Sequence, residues 1–196
     1  MNCLLLAKGE KSQRLGVVKS FLKLKGSPLI ELTLEKLSGR FAQIYLITTT
    51  PEKFIGYENF RVRVLVDKIK CGPLGGIYLG LKASDTAYNF VLAVDQIFIP
   101  TDFITWMMRK RKDYQVLVPR TNGQVHPLCA IYHQSVQEAM ERRIKEGKYR
   151  LTDLLKEVET RYLKKGLEKF GPPERLFFNI NTPADLIQAR NFLNRT

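Results

Sequence analysis

The chain reads as an α/β protein built on a mainly parallel sheet, and three observations predict that class. Apolar segments of strand length alternate with segments of helical period along most of its 196 residues. One of the strand-length segments, Asn89 to Val94, is wholly apolar after its first residue, the pattern of a strand buried on both faces. Glycine-rich or charged loops follow the strand-like segments, as in right-handed β-α-β units.

Asn2 to Ala7 predicts the first strand. After Gly26, Ser27 is placed to cap a helix with Pro28 at its first position; Ile30, Leu34, Leu37 and Phe41 then form one buried face. Gln43 to Thr48 and Val62 to Val66 predict the second and third strands. Gly72-Pro73-Leu74-Gly75-Gly76 leads into a helix from about Ile77 to Ala83. The apolar strand Asn89–Val94 follows, then a helix capped by Thr101-Asp102 that runs to about Arg111. Tyr114 to Pro119 and Leu128 to Tyr132 predict further strands, with a helix from Ser135 to about Lys145. Residues 147–173 are polar and less regular, and are expected to make excursions at the sheet edge. Arg175 to Ile180 predicts a last strand, and Thr182-Pro183-Ala184-Asp185 a helix start with Thr182 capping. The length fits a single domain, residues 1–196, with no repeat, low-complexity tract or long linker.

No apolar run approaches the length that crosses a bilayer, and the N-terminus lacks the pattern of a secretory signal, so the expected location is the cytoplasm. Cys3, Cys71 and Cys129 are too scattered for a disulfide framework or a thiolate zinc site; Cys3 and Cys129, among apolar neighbours, predict buried structural thiols. The net charge of +13 favours an anionic partner such as nucleic acid, an acidic membrane or a phosphate-rich small molecule. No recognition-helix or aromatic-rich RNA-binding motif accompanies that charge. The runs Arg109-Lys110-Arg111-Lys112 and Lys164-Lys165 read first as solvated surface.

Ligands of open parallel sheets bind beyond the carboxyl ends of the strands. That rule selects Lys8, Gly9, Lys11, Arg14, Gly16 and Lys19 after the first strand, Asp67 after the third and Asp95 after the fourth. Basic glycine-containing loops and two carboxylates on one rim are what a nucleoside triphosphate with a divalent metal requires. The first loop is neither a P-loop nor a dinucleotide fingerprint. Asp95 reads as a hard-cation ligand or a residue on the approach to a helix; Asp67 reads equally as a turn or ion-pair partner. The Gly72–Gly76 segment reads as a tight turn or as a close wall for a purine. His126-Pro127 and Asn179-Ile180-Asn181 lie at other strand ends, and spacing alone leaves them as turn and cap elements.

Taken in order, these residues resemble the molybdenum cofactor guanylyltransferase family. Leu6-Ala7-Lys8-Gly9, Ser12-Gln13-Arg14-Leu15-Gly16 and Lys19 look like its opening motif, and Gly26-Ser27-Pro28-Leu29 like its G-x-P-L. Asp67 with Gly72-Pro73-Leu74-Gly75-Gly76, Val94 to Pro100, His126-Pro127-Leu128 and Phe178 to Leu186 resemble the family's later motifs. The sequence departs from the family at Lys8 (usually glycine), at Val18 (usually aspartate), at Gln96-Ile97, and by one extra residue before Arg14; nucleotide choice is the property those departures touch.

The resemblance implies a three-layer, Rossmann-like nucleotidyltransferase fold and transfer of GMP from GTP to molybdenum-bearing molybdopterin, with Mg²⁺ as cofactor. Arg14, Lys19 and Asp95 are the implied catalytic residues, Asp95 being the metal ligand. Leu6, Ala7, Lys8, Lys19, Asp67, Gly72, Pro73, Gly75 and Asp95 are implied to bind GTP. His126, Asn179 and Asn181 are implied on the molybdopterin side. Transient contact with molybdenum-insertion proteins and apo-molybdoenzymes also follows from it, with neither nucleic acid nor membrane as a partner. Alternatives are a relative that uses CTP or activates a sugar phosphate and, more remotely, a basic nucleic-acid-binding protein.

Overall fold

The computed structural model describes residues 1–7, 15–59 and 61–194. β1 (Asn2–Leu6) is buried along almost its whole length. A single 3-10 turn, Lys19–Phe21, leads to a small antiparallel ribbon of β2 (Lys23–Leu24) and β3 (Ser27–Pro28), and then to α1 (Leu29–Leu37). Ser27 is therefore not the cap of α1. It pairs with Leu24, and Pro28, with extended backbone, takes the cap position. The shift follows from Pro28 itself, whose ψ of 146° and pairing with Lys23 keep it in the ribbon, so the helix begins at Leu29.

β4 (Ile44–Thr48) and β5 (Val62–Val66) follow as expected, but α2 (Gly72–Ala83) starts at Gly72 rather than Ile77. Gly72 has a φ of +64°, which side chains rarely tolerate, and Pro73 sits in the first turn, where its missing N–H leaves no bond unmade. The Gly-Pro-Leu-Gly-Gly segment is thus the helix's own first turn. Further along, a Cβ on Gly80 would lie 2.8 Å from both Leu4 and Ile47, so the bare glycine lets α2 lie close on β1 and β4.

β6 (Tyr88–Ala93) is the central apolar strand, and α3 (Thr101–Lys110) follows it with Pro100 rather than Thr101 in the cap position. β7 (Val116–Thr121), β8 (Gln124–Val125) and β9 (Cys129–His133) lead through a 3-10 turn to α4 (Gln137–Lys145). The span expected to be irregular contains α5 (Leu151–Glu157), which buries Leu151, Leu154 and Leu155, and an edge strand, β10 (Thr160–Leu163). The strand expected at Arg175–Ile180 does not form. Pro172-Pro173 starts a short helix, α6 (Pro173–Leu176), and Leu176, Phe177 and Ile180 enter the core as separate anchors. α7 (Pro183–Asn194) closes the described chain.

The strands order as β10-β7-β9-β6-β1-β4-β5, with β8 paired to β7. β9 runs antiparallel to both neighbours; β1, β4, β5, β6, β7 and β10 run together and end on one rim. Helices cover both faces, giving the three layers expected. One apolar cluster joins the sheet to α1, α3 and the C-terminal segment, the other to α2, α4 and α5. Cys3 and Cys129 lie in the first cluster as free thiols, and burial raises the pKa of both. Among the described residues no helix is long and apolar enough to cross a membrane.

Candidate active site

Leu6 and Ala93 are register partners, so the chain leaves β1 and β6 at the same level of the rim. Asp95 stands in the turn after β6, its side chain 17% exposed. The Lys19 ammonium lies 2.9 Å from Asp95 Oδ2 and 2.6 Å from Asn181 Oδ1. Three chain segments far apart in sequence therefore meet at one nitrogen. Lys19 finds these partners although Val18 offers it no carboxylate.

Asn181 is held by a capping box at the start of α7. The amides of Asn181 and Thr182 donate to Asp185 Oδ2 at 2.9 and 2.8 Å, and the Asp185 amide donates to Thr182 Oγ1 at 3.2 Å. The bond from the Asn181 amide holds the Asp185 carboxyl below its ordinary range, helped by Thr182 and the charge of Lys19. Farther back, Phe178 packs with Phe98 and Phe192 at centroid distances of 5.3 to 6.0 Å, which ties this segment to the loop carrying Asp95.

That loop has a second support that the sequence reading missed. Lys36 of α1 donates from Nζ to the carbonyls of Ile97 and Ile99, and Thr33 donates to the carbonyls of Leu29 and Val94. Burial lowers the Lys36 pKa to about 8. The signal was available: Lys36 lies seven residues after Leu29 and three after Thr33, a lysine on the inward stripe of a helix. Gln96 beside Asp95 is buried, and its Oε1 has no partner among the described residues.

The residues expected on the nucleoside side are spread along the rim. The Leu6 carbonyl accepts from Val94 and the Ala7 amide donates to Ile47, so both groups are used within the sheet. A Cβ on Gly76 would lie 3.1 Å from Leu6, which places α2 at Gly76 against the end of β1, with Gly72, Pro73 and Gly75 just before it in the same helix. Asp67 is buried, and its Oδ1 accepts from the amides of Ile69 and Lys70 at 3.1 Å, shaping the turn into α2. The turn reading of Asp67 is thus realised for one oxygen.

His126 stands apart from the Lys19 cluster. Its ring is buried and stacked on Phe177 at 3.8 Å, and its Nε2 is 2.7 Å from Thr121 Oγ1. Burial lowers its pKa to about 4, so it is neutral at physiological pH. Asn179 Nδ2 donates within its own segment, to the Phe177 carbonyl at 3.3 Å. Lys8, Gly9, Lys11 and Arg14 lie outside the described residues.

The model of the MobA-like NTP transferase domain matches residues 3–162. A probable molybdenum cofactor guanylyltransferase from Natranaerobius thermophilus is 37% identical, over 96% of this chain and 94% of that protein. One from Pyrococcus furiosus is 32% identical over 94% of each. Among solved structures, molybdopterin-guanine dinucleotide biosynthesis protein A from Archaeoglobus fulgidus superposes with a TM-score of 0.85, at 27% identity and over the whole of both chains. The 2-C-methyl-D-erythritol 4-phosphate cytidylyltransferase of Thermus thermophilus, at 17% identity and a TM-score of 0.68 over 98% of each chain, shares the fold alone.

Proposed function

Because this chain belongs to the molybdenum cofactor guanylyltransferase family, we propose that it transfers GMP from GTP to molybdenum-loaded molybdopterin. An oxygen of the acceptor's terminal phosphate attacks the α-phosphorus, the bond to the β-phosphate oxygen breaks, and pyrophosphate leaves. The nucleophile comes with the substrate, so the protein's work is positioning and electrostatics.

The observation that carries this reading is the convergence of Asp95 Oδ2 and Asn181 Oδ1 on the Lys19 ammonium. Two hard oxygens collect a cation at one point on the rim where ligands of such sheets bind. Mg²⁺ typically takes one or two carboxylates and completes its shell with water and substrate phosphates, so a carboxylate beside an amide oxygen fits a hard divalent metal such as Mg²⁺. Asp95 and Asn181 would hold it, and it would supply charge neutralisation on the triphosphate. Lys19, released from Asp95, turns to the phosphates and with Arg14 offsets charge on the leaving pyrophosphate. Leu6, Ala7 and Lys8, with Gly72, Pro73, Gly75 and Asp67, take the nucleoside, a reading supported by the packing of α2 against the end of β1. His126 and Asn179 serve the acceptor side by fixing the segment that carries Asn181. The net charge of +13 suits two polyanionic substrates.

Titrating GTP, CTP and ATP in the presence of Mg²⁺ tests the reading. GTP is expected to bind best and to release pyrophosphate once molybdenum-loaded molybdopterin is added. Preference for CTP would reassign the chain to cytidylyl transfer. Salt-dependent RNA binding without triphosphate binding would remove it from nucleotidyl transfer altogether.

A further inference from the structure

A cavity opens on the same rim, outside the Lys19 cluster. It has a volume of about 430 Å³ and lies between the β7–β8 hairpin, Arg120 to Gly123, and the segment from Lys164 to Pro173. β9 separates β7 from β6, so at about 4.8 Å per strand the cavity mouth stands about 10 Å along the rim from the end of β6. Its volume falls within the range of small-molecule sites, about 300–1,000 Å³.

The cavity's charged groups are uncommitted. Among the described residues the side chains of Lys164 and Glu168 have no ion pair or hydrogen bond, and the Arg120 guanidinium only stands 5.8 Å from the Tyr162 ring. Leu167, 3% exposed, lies beneath them. The hairpin wall is fixed by left-handed backbone at Asn122 and Gly123, with φ of +48° and +79°. It is also joined to the catalytic cluster by a continuous chain of contacts. Thr121 bonds His126, His126 stacks on Phe177, and the four residues that follow end at Asn181 on Lys19.

We infer that this cavity is the subsite for the ring end of the acceptor, with Glu168 facing the pterin and Arg120 and Lys164 facing its anionic molybdenum-dithiolene group. The inference rests on the guanylyl-transfer reading, since that reading puts the acceptor's phosphate at Lys19 and Asp95 and so directs the rest of the molecule along the rim. A pterin presents a 2-amino group and a ring N–H side by side, a donor pair that a carboxylate accepts with two parallel bonds. A dithiolene carrying an oxomolybdenum centre is anionic and calls for cations. One carboxylate and two cations in the same lining match a ligand with a donor edge at one end and negative charge beside it. The Lys164 charge, which sequence alone leaves as solvated surface, gains a use.

The test compares full-length wild type with Glu168→Gln and with the double variant R120A/K164A, all three surface changes. GTP affinity is read by calorimetry, transfer to molybdenum-loaded molybdopterin by pyrophosphate release. The expected result is an acceptor KM raised at least tenfold in both variants while the Kd for GTP stays within twofold of wild type. Glu168→Asp, which keeps the carboxylate, is expected to recover most of the loss. If wild type turns over and both variants keep its acceptor KM, the subsite is wrong and the guanylyl-transfer reading stands. A wild-type protein that binds GTP yet transfers nothing to molybdopterin overturns both.

Discussion

The Lys19 ammonium and the Asp95 carboxylate meet at 2.9 Å across 76 residues of sequence, with side chains 24% and 17% exposed. An ion pair at that depth is worth little as a stabiliser, because desolvating the two groups offsets most of their attraction. Its meaning lies in the exchange it permits. In the proposed reaction Asp95 would hold the metal and Lys19 would turn to the triphosphate, so both groups would exchange partners. Asp95→Asn keeps the shape and one acceptor oxygen but loses the charge. The fold should persist, and Mg²⁺-dependent pyrophosphate release should fall at least about hundredfold, equivalent to about 2.7 kcal/mol of barrier. Normal turnover in a folded Asp95→Asn protein would end the metal assignment.

Removing the other partner has a different signature. Lys19→Ala removes the donor that Asp95 and Asn181 share and, in the proposed reaction, a charge-assisted contact to the triphosphate. Triphosphate binding should weaken by about 1.5–3 kcal/mol, the range for hydrogen bonds to charged groups. Calorimetry with GTP measures this directly, and an unchanged affinity places Lys19 outside the site.

Lys36 touches no substrate group yet should matter for turnover. Its two bonds go to the Ile97 and Ile99 carbonyls, in the loop that begins at Asp95. Lys36→Met keeps the buried stem and abolishes both donors. Leaving two half-buried carbonyls without donors should cost about 1–3 kcal/mol of stability and let the Asp95 turn move. The expected kinetics are a fall in kcat that exceeds the rise in the KM for GTP. A variant with lowered Tm and unaltered kcat would make Lys36 a structural residue only.

The contrast between Lys19 and Lys36 shows what the sequence can reveal. The strand-end rule finds residues whose placement depends on topology alone, and Lys19 and Asp95 belong to that class. Asn181 was visible as part of a capping pattern, but its contact with Lys19 depends on how the last helix folds back, which no local signal encodes. Lys36 was hidden by its charge, because a helical lysine is read as solvent-facing unless its spacing is checked against the apolar stripe. The failed strand at Arg175–Ile180 has a similar cause: Leu176, Phe178 and Ile180 mimic alternation, while Pro172-Pro173 starts a helical turn and Leu176, Phe177 and Ile180 all enter the same core. In α2 the glycine-proline pair looked like a preface to the helix, and Pro73, whose ring presets a helical φ, instead places it in the first turn.

His126 provides a pH-dependent check on the acceptor-side segment. Its pKa in the fold is about 4 and its ordinary value 6.5, so as pH falls the unfolded chain takes up the proton first. The stability tied to neutral His126 is complete above pH 6.5 and is lost as pH falls toward 4, on the order of 2 kcal/mol in all. His126→Phe keeps a ring on Phe177 and cannot titrate. The difference in Tm between pH 7 and pH 4.5 should therefore be smaller in the variant than in wild type. Equal differences would show that His126 is not held neutral by its surroundings.

Gly80 links the packing of α2 to the proposed nucleoside side of the site. A Cβ at this position would meet the Leu4 and Ile47 side chains at 2.8 Å, inside any normal contact, and both are buried core residues. Gly80→Val must push α2 away from β1 and β4 or force Leu4 from its rotamer, at about 1–3 kcal/mol. If the helix moves, Gly76 withdraws from Leu6, and the base loses a wall while Asp95 and Lys19 stay in place. The variant should then show a lower midpoint in denaturant and a raised KM for GTP, with a metal requirement like that of wild type. Gly80→Ala should fall between the two, because the gain in helix propensity of about 1 kcal/mol opposes the overlap. A stability loss without any change in the KM for GTP would separate this packing contact from the nucleoside pocket.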